Sequence, residues 1–112
     1  MEDFETIWEI LDKHLTGTTV ETLAHGVSNE ILCFDDEGMW RLSERSRFNE
    51  KTKVPKTTFL RLWEDLERDS EVELRKNRSW RIAGACLVSI PGLGVEVIST
   101  SPIILTLKRG KR

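Results

Sequence analysis

The chain has 112 residues, close to the commonest size of a single domain, and its formal net charge of −2 conceals two oppositely charged parts. Residues 1–40 contain ten acidic side chains and one basic one, whereas residues 41–112 contain nine acidic and sixteen basic ones. No stretch approaches the roughly 18 apolar residues of a membrane-spanning helix, and the acidic N-terminus differs from a secretory or organellar targeting segment. We therefore expect one cytoplasmic domain without a membrane segment, and the charge separation favours a polyanionic partner.

The N-terminal part predicts a helix followed by an antiparallel meander. Apolar residues recur at helical spacing over residues 3–15, with acidic residues in the first turn and a glycine just after the last. Three segments rich in strand-forming residues follow, at residues 18–23, 30–34 and 39–43. Because short polar turns separate them, they are expected to pair as three antiparallel strands.

A surface loop and a second helix are expected next. Residues 44–53 are polar apart from one phenylalanine, which is typical of a loop. Pro55 suits the first position of a helix, where its missing N–H is not needed. From Phe59 to Leu66, apolar residues at helical spacing give this helix one face to bury.

The C-terminal part predicts a very short strand with Val72 and Leu74, a third helix and a hairpin. Ser79 is the expected N-cap of the third helix, over residues 80–90, which is apolar on nearly all sides. Such a helix is expected to be the central buried element. Residues 95–98 and 103–107 are the two strands of the hairpin.

Together these elements predict one α+β domain over residues 1–112, with an N-terminal helix, a three-stranded antiparallel meander, two helices and a C-terminal β-hairpin. The strands are expected to join into one sheet covered by the helices, because amphipathic elements must bury their apolar faces. Four tryptophans are expected inside: Trp8, Trp40, Trp63 and Trp80. Trp40 and Leu42 are expected to share the inner face of their strand.

The sequence contains no motif of a catalytic or metal-binding site. His14 and His25 have no partner in a triad-like context. Cys33 and Cys86 lie in apolar runs without metal-ligand spacing and are expected to be buried free thiols. Residues 71–76 place two acids, Glu71 and Glu73, before two bases, Arg75 and Lys76, but they lack the fixed spacing of a metal-dependent nuclease. We therefore expect a non-enzymatic domain with no cofactor and no metal.

Basic side chains are concentrated in residues 41–56, in residues 75–81 and in a C-terminal tail at residues 108–112. We call the first two stretches the basic segments. Nine residues of the two segments are expected to contact phosphates: Arg41, Arg45, Arg47, Lys51, Lys53, Arg75, Lys76, Arg78 and Arg81. A helix N-terminus near Ser79 would add backbone donors. If the clusters form one stripe, they would bind a nucleic-acid backbone, with DNA favoured, strong salt dependence and little base readout.

Two other interpretations of these charges stay open. Solvated surfaces alone produce charge runs in a chain with 32% charged residues. The basic clusters would also suit pairing with the acidic first helix, within the monomer or in a second copy. The alternative function is therefore a protein-interaction or self-association module with complementary charged surfaces.

Seven segments form a pattern that covers about four-fifths of the chain, between residues 18 and 108. They are Thr22-Leu23, Asn29-Glu30-Ile31-Leu32 with Met39-Trp40-Arg41-Leu42, Val54-Pro55-Lys56, Leu62-Trp63-Glu64-Asp65-Leu66, Asn77-Arg78-Ser79-Trp80 and Ile90-Pro91-Gly92-Leu93. This pattern resembles a small domain that recurs beside prokaryotic restriction-type nucleases and DNA helicase proteins. The resemblance implies an accessory, DNA-associated role. The order helix, strand, helix, hairpin over residues 55–107 also resembles a winged helix, although the third helix offers few polar side chains for reading bases.

Overall fold

The computed structural model describes residues 3–23, 25–44 and 50–108, which form three helices and seven strands. The helices are α1 (Phe4–Leu15), α2 (Lys56–Asp69) and α3 (Arg78–Val88). The strands are β1 (Thr19–Glu21), β2 (Ser28–Phe34), β3 (Gly38–Ser43), β4 (Thr52–Pro55), β5 (Glu71–Glu73), β6 (Val95–Thr100) and β7 (Ile103–Leu107). The α+β class, the meander, the helices and the C-terminal hairpin are confirmed.

The strands form two sheets, so the expectation of a single sheet was wrong. In the first sheet β1, β2, β3 and β4 are antiparallel neighbours in that order, and in the second β7 lies between β5 and β6. α3 contacts β1 and β4 of the first sheet and β6 of the second. The buried helix therefore packs against strands of both sheets.

The fourth strand, β4, lies partly in the segment for which the sequence predicts a loop. Its residue Lys53 pairs with Trp40 of β3. Thr52 and Lys53 are exposed, and Val54 is its one fully buried residue. A short edge strand with a single buried position has no recognisable alternation, which is why the pattern suggested a loop.

The start of α3 differs from the expected one. Its N-cap is Asn77, whose Oδ1 accepts a hydrogen bond from the backbone N–H of Trp80 at 2.9 Å. Ser79, the predicted cap, lies inside the first turn. Asparagine and serine are about equally good N-caps, so composition alone did not choose between the two positions.

The core confirms α3 as the most deeply buried element. Six consecutive residues of α3, from Ile82 to Leu87, are buried. The expected burial of three tryptophans is also confirmed, since Trp8, Trp63 and Trp80 are only 5–6% exposed.

Three residues expected inside lie on the outer face of the first sheet. Met39 is fully buried, so the alternation along β3 turns Trp40 and Leu42 outward, and Trp40 is only half-buried. Cys33, which pairs with Trp40 across β2 and β3, is exposed, whereas Cys86 is buried. Because β3 carries apolar residues on both faces, either face could have been the inner one from sequence alone.

Candidate functional site

The inner face of β3 places a guanidinium partly inside the domain. Arg41 is half-buried, and its Nη1 donates a hydrogen bond to Oδ1 of Asn29 at 2.6 Å. Asn29 is fully buried, and its Nδ2 donates to the carbonyl oxygen of Val27 at 2.9 Å. Burial lowers the pKa of Arg41 below its usual value, and the positive charge of Arg78 lowers that pKa further. The surroundings of Arg41 therefore disfavour its charged form.

Two further arginines come from the first turn of α3. Arg78 and Arg81 are three positions apart, a spacing that puts both on one face of a helix. Together with Arg41 they line a cavity of about 80 Å³, which we call the arginine pocket. The other lining residues are Thr22, His25, Val27 and Ser43. Among the described residues, no acidic side chain lines this pocket.

Two of these guanidinium groups have an unsatisfied nitrogen. The Nε atoms of Arg41 and Arg81 are buried and donate to no acceptor in the described part of the chain. A buried donor without an acceptor costs roughly 1–3 kcal/mol, and neighbouring like charges add to that cost. An anion in the arginine pocket would offset the repulsion between the like charges.

A wider cleft of about 500 Å³ adjoins the pocket, and we call it the outer cleft. His25 and Arg81 line both spaces, so the two are neighbours that share part of their walls. Arg75 and Lys76, from the loop between β5 and α3, line the outer cleft. The guanidinium carbon of Arg75 lies 4.8 Å from the ring centroid of Trp80, a cation–π contact that helps to orient it.

The structure describes seven of the nine predicted phosphate contacts, and they lie in two regions. The two spaces together are lined by five of them: Arg41, Arg75, Lys76, Arg78 and Arg81. Lys51 and Lys53 lie instead beside Trp40, with their Nζ atoms 5.6 and 5.8 Å from its ring centroid. Arg45 and Arg47 are outside the residues that the structure describes.

Four basic residues outside the two spaces form ion pairs that the five lining residues lack within the described ranges. Lys53, Lys56, Arg68 and Lys108 each have a carboxylate oxygen at 2.9–3.2 Å. The five residues at the pocket and outer cleft have no such ion pair within the described ranges. Between α1 and the basic segments the described residues form one ion pair, Lys56 with Glu5 at 3.0 Å. The acidic helix therefore does not neutralise the pocket.

Sequence reasoning missed the roles of two residues. Asn29 orients Arg41 from the neighbouring strand, and His25 lies where the pocket and outer cleft meet. The signal for Asn29 was available, because a polar residue two positions before the apolar Ile31 falls on the same, inward face of β2. His25 carried no comparable signal, since it follows β1 in a turn that only the tertiary fold brings to α3.

Two other features, a metal site and a membrane-spanning helix, are absent from the described residues. Those residues contain no group of three histidine, cysteine, aspartate or glutamate side chains that could hold a metal ion. None of their helices is long and apolar enough to cross a bilayer. No protein-family model matches the chain, and comparison with curated proteins and with solved structures finds no match.

Proposed function

We propose that this protein is a non-enzymatic domain that binds nucleic acid, with DNA favoured, by contacting phosphates at the arginine pocket and outer cleft. The observation that carries the proposal is the convergence of three arginines, from β3 and α3, on one cavity that no acidic side chain of the described residues lines. An accessory role beside prokaryotic DNA-processing enzymes, in the cytoplasm, belongs to the same proposal.

Arginine is the side chain best suited to this task. Its planar guanidinium matches two phosphate oxygens at once, and its charge does not titrate near neutral pH. The N-terminal turn of α3 adds backbone N–H groups and the positive end of the helix dipole on the side where Arg78 lies. Since α3 offers few polar side chains beyond this turn, the proposed binding reads the backbone and has little base specificity.

The test is a fluorescence anisotropy titration of the full chain with a short labelled duplex and a single strand. We expect binding at about 50 mM salt that weakens steeply as salt rises, because phosphate contacts release counterions. Charge reversal of both helix arginines, Arg78→Glu with Arg81→Glu, should abolish binding. Lys13→Glu, the same reversal outside the two spaces, should preserve it. Wild-type protein that binds neither DNA nor RNA at about 50 mM salt would overturn the proposal.

The second candidate is self-association through complementary charges. It is favoured by the exposed acidic side chains of α1, such as Glu9, because no carboxylate of the described residues lines the arginine pocket. Light scattering over a concentration series separates the two candidates. A mass that rises with concentration at low salt and falls with added salt supports self-association, whereas a constant mass excludes it.

A further inference from the structure

We infer that the arginine pocket takes the terminal phosphate of a nucleic-acid strand, and that the strand leaves through the outer cleft past Arg75 and Lys76. This inference rests on the proposed function and specifies which part of the nucleic acid the site recognises. It follows from the volumes of the arginine pocket and the outer cleft, from the charge of the pocket and from the two residues that line both spaces.

The size of the pocket suits a phosphate better than a nucleoside. About 10–15 Å³ of such space accommodates one water molecule, so a cavity of about 80 Å³ has room for a group of only a few heavy atoms. A phosphate fits this description, whereas a base with its sugar does not. The outer cleft, at about 500 Å³, has room for the nucleotides that follow.

The charge of the pocket favours a chain end over an internal linkage. A phosphomonoester carries about −1.5 to −2 charges at pH 7 and has three terminal oxygens that accept hydrogen bonds. An internal diester carries one charge, has two such oxygens and must continue on both sides. Three guanidinium groups, in a cavity that no acidic side chain of the described residues lines, match the monoester better, because they offer more positive charge than a diester can balance.

The side chains that line both spaces indicate where the bound strand leaves the arginine pocket. Asn29 holds Arg41 through Nη1, on the side of the buried sheet. His25 and Arg81 stand where the pocket meets the outer cleft. A phosphate held by the arginines would therefore leave its ester oxygen toward that junction, and Arg75 and Lys76 would contact the next phosphates.

The experiment compares four single strands of one sequence, about 12 nucleotides long, with the full-length protein. They carry a 5′-phosphate, a 3′-phosphate, hydroxyl groups at both ends, or no end at all because the strand is circular. We expect one of the two phosphorylated strands to bind about tenfold more tightly than the hydroxyl-ended and circular strands, which corresponds to one added charge-assisted contact. Inorganic phosphate should compete selectively with that strand.

Two variants assign the preference to the pocket. Arg41→Met should remove the difference between the strands while leaving the weaker binding that they share, and Arg75→Gln should weaken all four in parallel. Equal binding of all four strands by the wild type would overturn the inference and leave the proposed function standing, whereas binding of none would overturn both. Tighter binding of a phosphoserine peptide than of every strand would also overturn it. The wild-type comparison decides the question even if Arg41→Met does not fold.

Discussion

At the scale of single residues, the partly buried arginines of the arginine pocket lower the free energy of unfolding. Arg41 and Arg81 each bury a nitrogen that has no acceptor among the described residues, and Arg78 adds a like charge close to Arg41. Groups placed in this way are typical of binding sites, in which the ligand supplies the missing interaction.

The first prediction is that Arg81→Met weakens nucleic-acid binding without weakening the fold. Methionine keeps the apolar stem and removes a partly buried charge, so the free energy of unfolding should stay unchanged or rise by about 1 kcal/mol. Urea unfolding measures this change, and anisotropy measures the loss of binding. Arg68→Met is the matched control, because Arg68 is exposed and bonded to Asp65 and Asp69. A clear loss of stability in Arg81→Met alone would contradict the prediction.

The second prediction concerns the buried thiol. Complete burial raises the pKa of Cys86 to about 12, whereas the unfolded chain has its ordinary value near 9. Below about pH 9 both states keep the proton and stability is complete. As pH rises from about 9 to 12, the unfolded state loses a proton that the folded state retains, so the free energy of unfolding falls. Urea titrations from pH 8 upward should show a shallower fall for Cys86→Ala than for wild type. The control Cys33→Ala should follow wild type, because Cys33 is exposed.

At the scale of elements, α3 connects the site to the core. Its first turn supplies Arg78 and Arg81, and the rest of the helix is buried between strands of both sheets. Any change that moves this helix is therefore expected to move two of the three arginines of the pocket.

The third prediction tests this helix with a cavity. Leu87 is fully buried near the end of α3, so Leu87→Ala should lower the free energy of unfolding by about 2–5 kcal/mol. Chemical denaturation measures the loss, with Leu60→Ala as a control because Leu60 is only half-buried on α2. A change below about 1 kcal/mol would mean that α3 is not the centre of the core.

The fourth prediction tests how closely α3 approaches the second sheet. A Cβ at Gly84 would lie 2.8 Å from Cδ1 of Leu74 and 3.2 Å from Cδ1 of Leu105, both of which are buried. Gly84→Ala should therefore destabilise the protein by about 1 kcal/mol, because overpacking outweighs the better helix propensity of alanine. Adding Leu74→Val should restore part of the loss in a double-mutant cycle. If the two changes were simply additive, this contact would not limit the packing.

The elements with a regular pattern were the ones that the sequence could predict. The helices bury residues at helical spacing, and the hairpin strands bury alternate residues, so their patterns were sufficient. β4 was missed because Val54 is its only fully buried residue.

The site was half predictable. Arg75 to Arg81 are close in sequence, so their clustering was predictable. The position of Arg41 beside them depends on which face of β3 turns inward. The expectation that Trp40 lies on the inner face implied that Arg41 lies on the outer one.

At the scale of the whole molecule, the opposite charges of the two parts do not cancel. The acidic side chains of α1 make one ion pair with the basic segments in the described ranges, through Lys56. Exposed pairs of this kind contribute little, about 0–1 kcal/mol, so the basic surface keeps most of its attraction for a polyanion.

The fifth prediction is a count of phosphate contacts from salt dependence. If all five basic residues of the pocket and outer cleft contact phosphates, the log–log slope of affinity against salt should be about −4 to −5 for duplex DNA. Arg75→Gln should reduce the size of that slope by about one unit. An unchanged slope would show that Arg75 makes no phosphate contact, and Lys13→Glu serves as the control.

The double role of α3 also bears on how this protein can change over generations. Its eleven residues hold the centre of the core and two of the three pocket arginines, so selection for packing and selection for binding act on the same short segment. Variation that is neutral for one task is seldom neutral for the other. Homologous chains should therefore keep α3 nearly constant and diverge on the solvent-facing side of α1, where substitutions affect neither task.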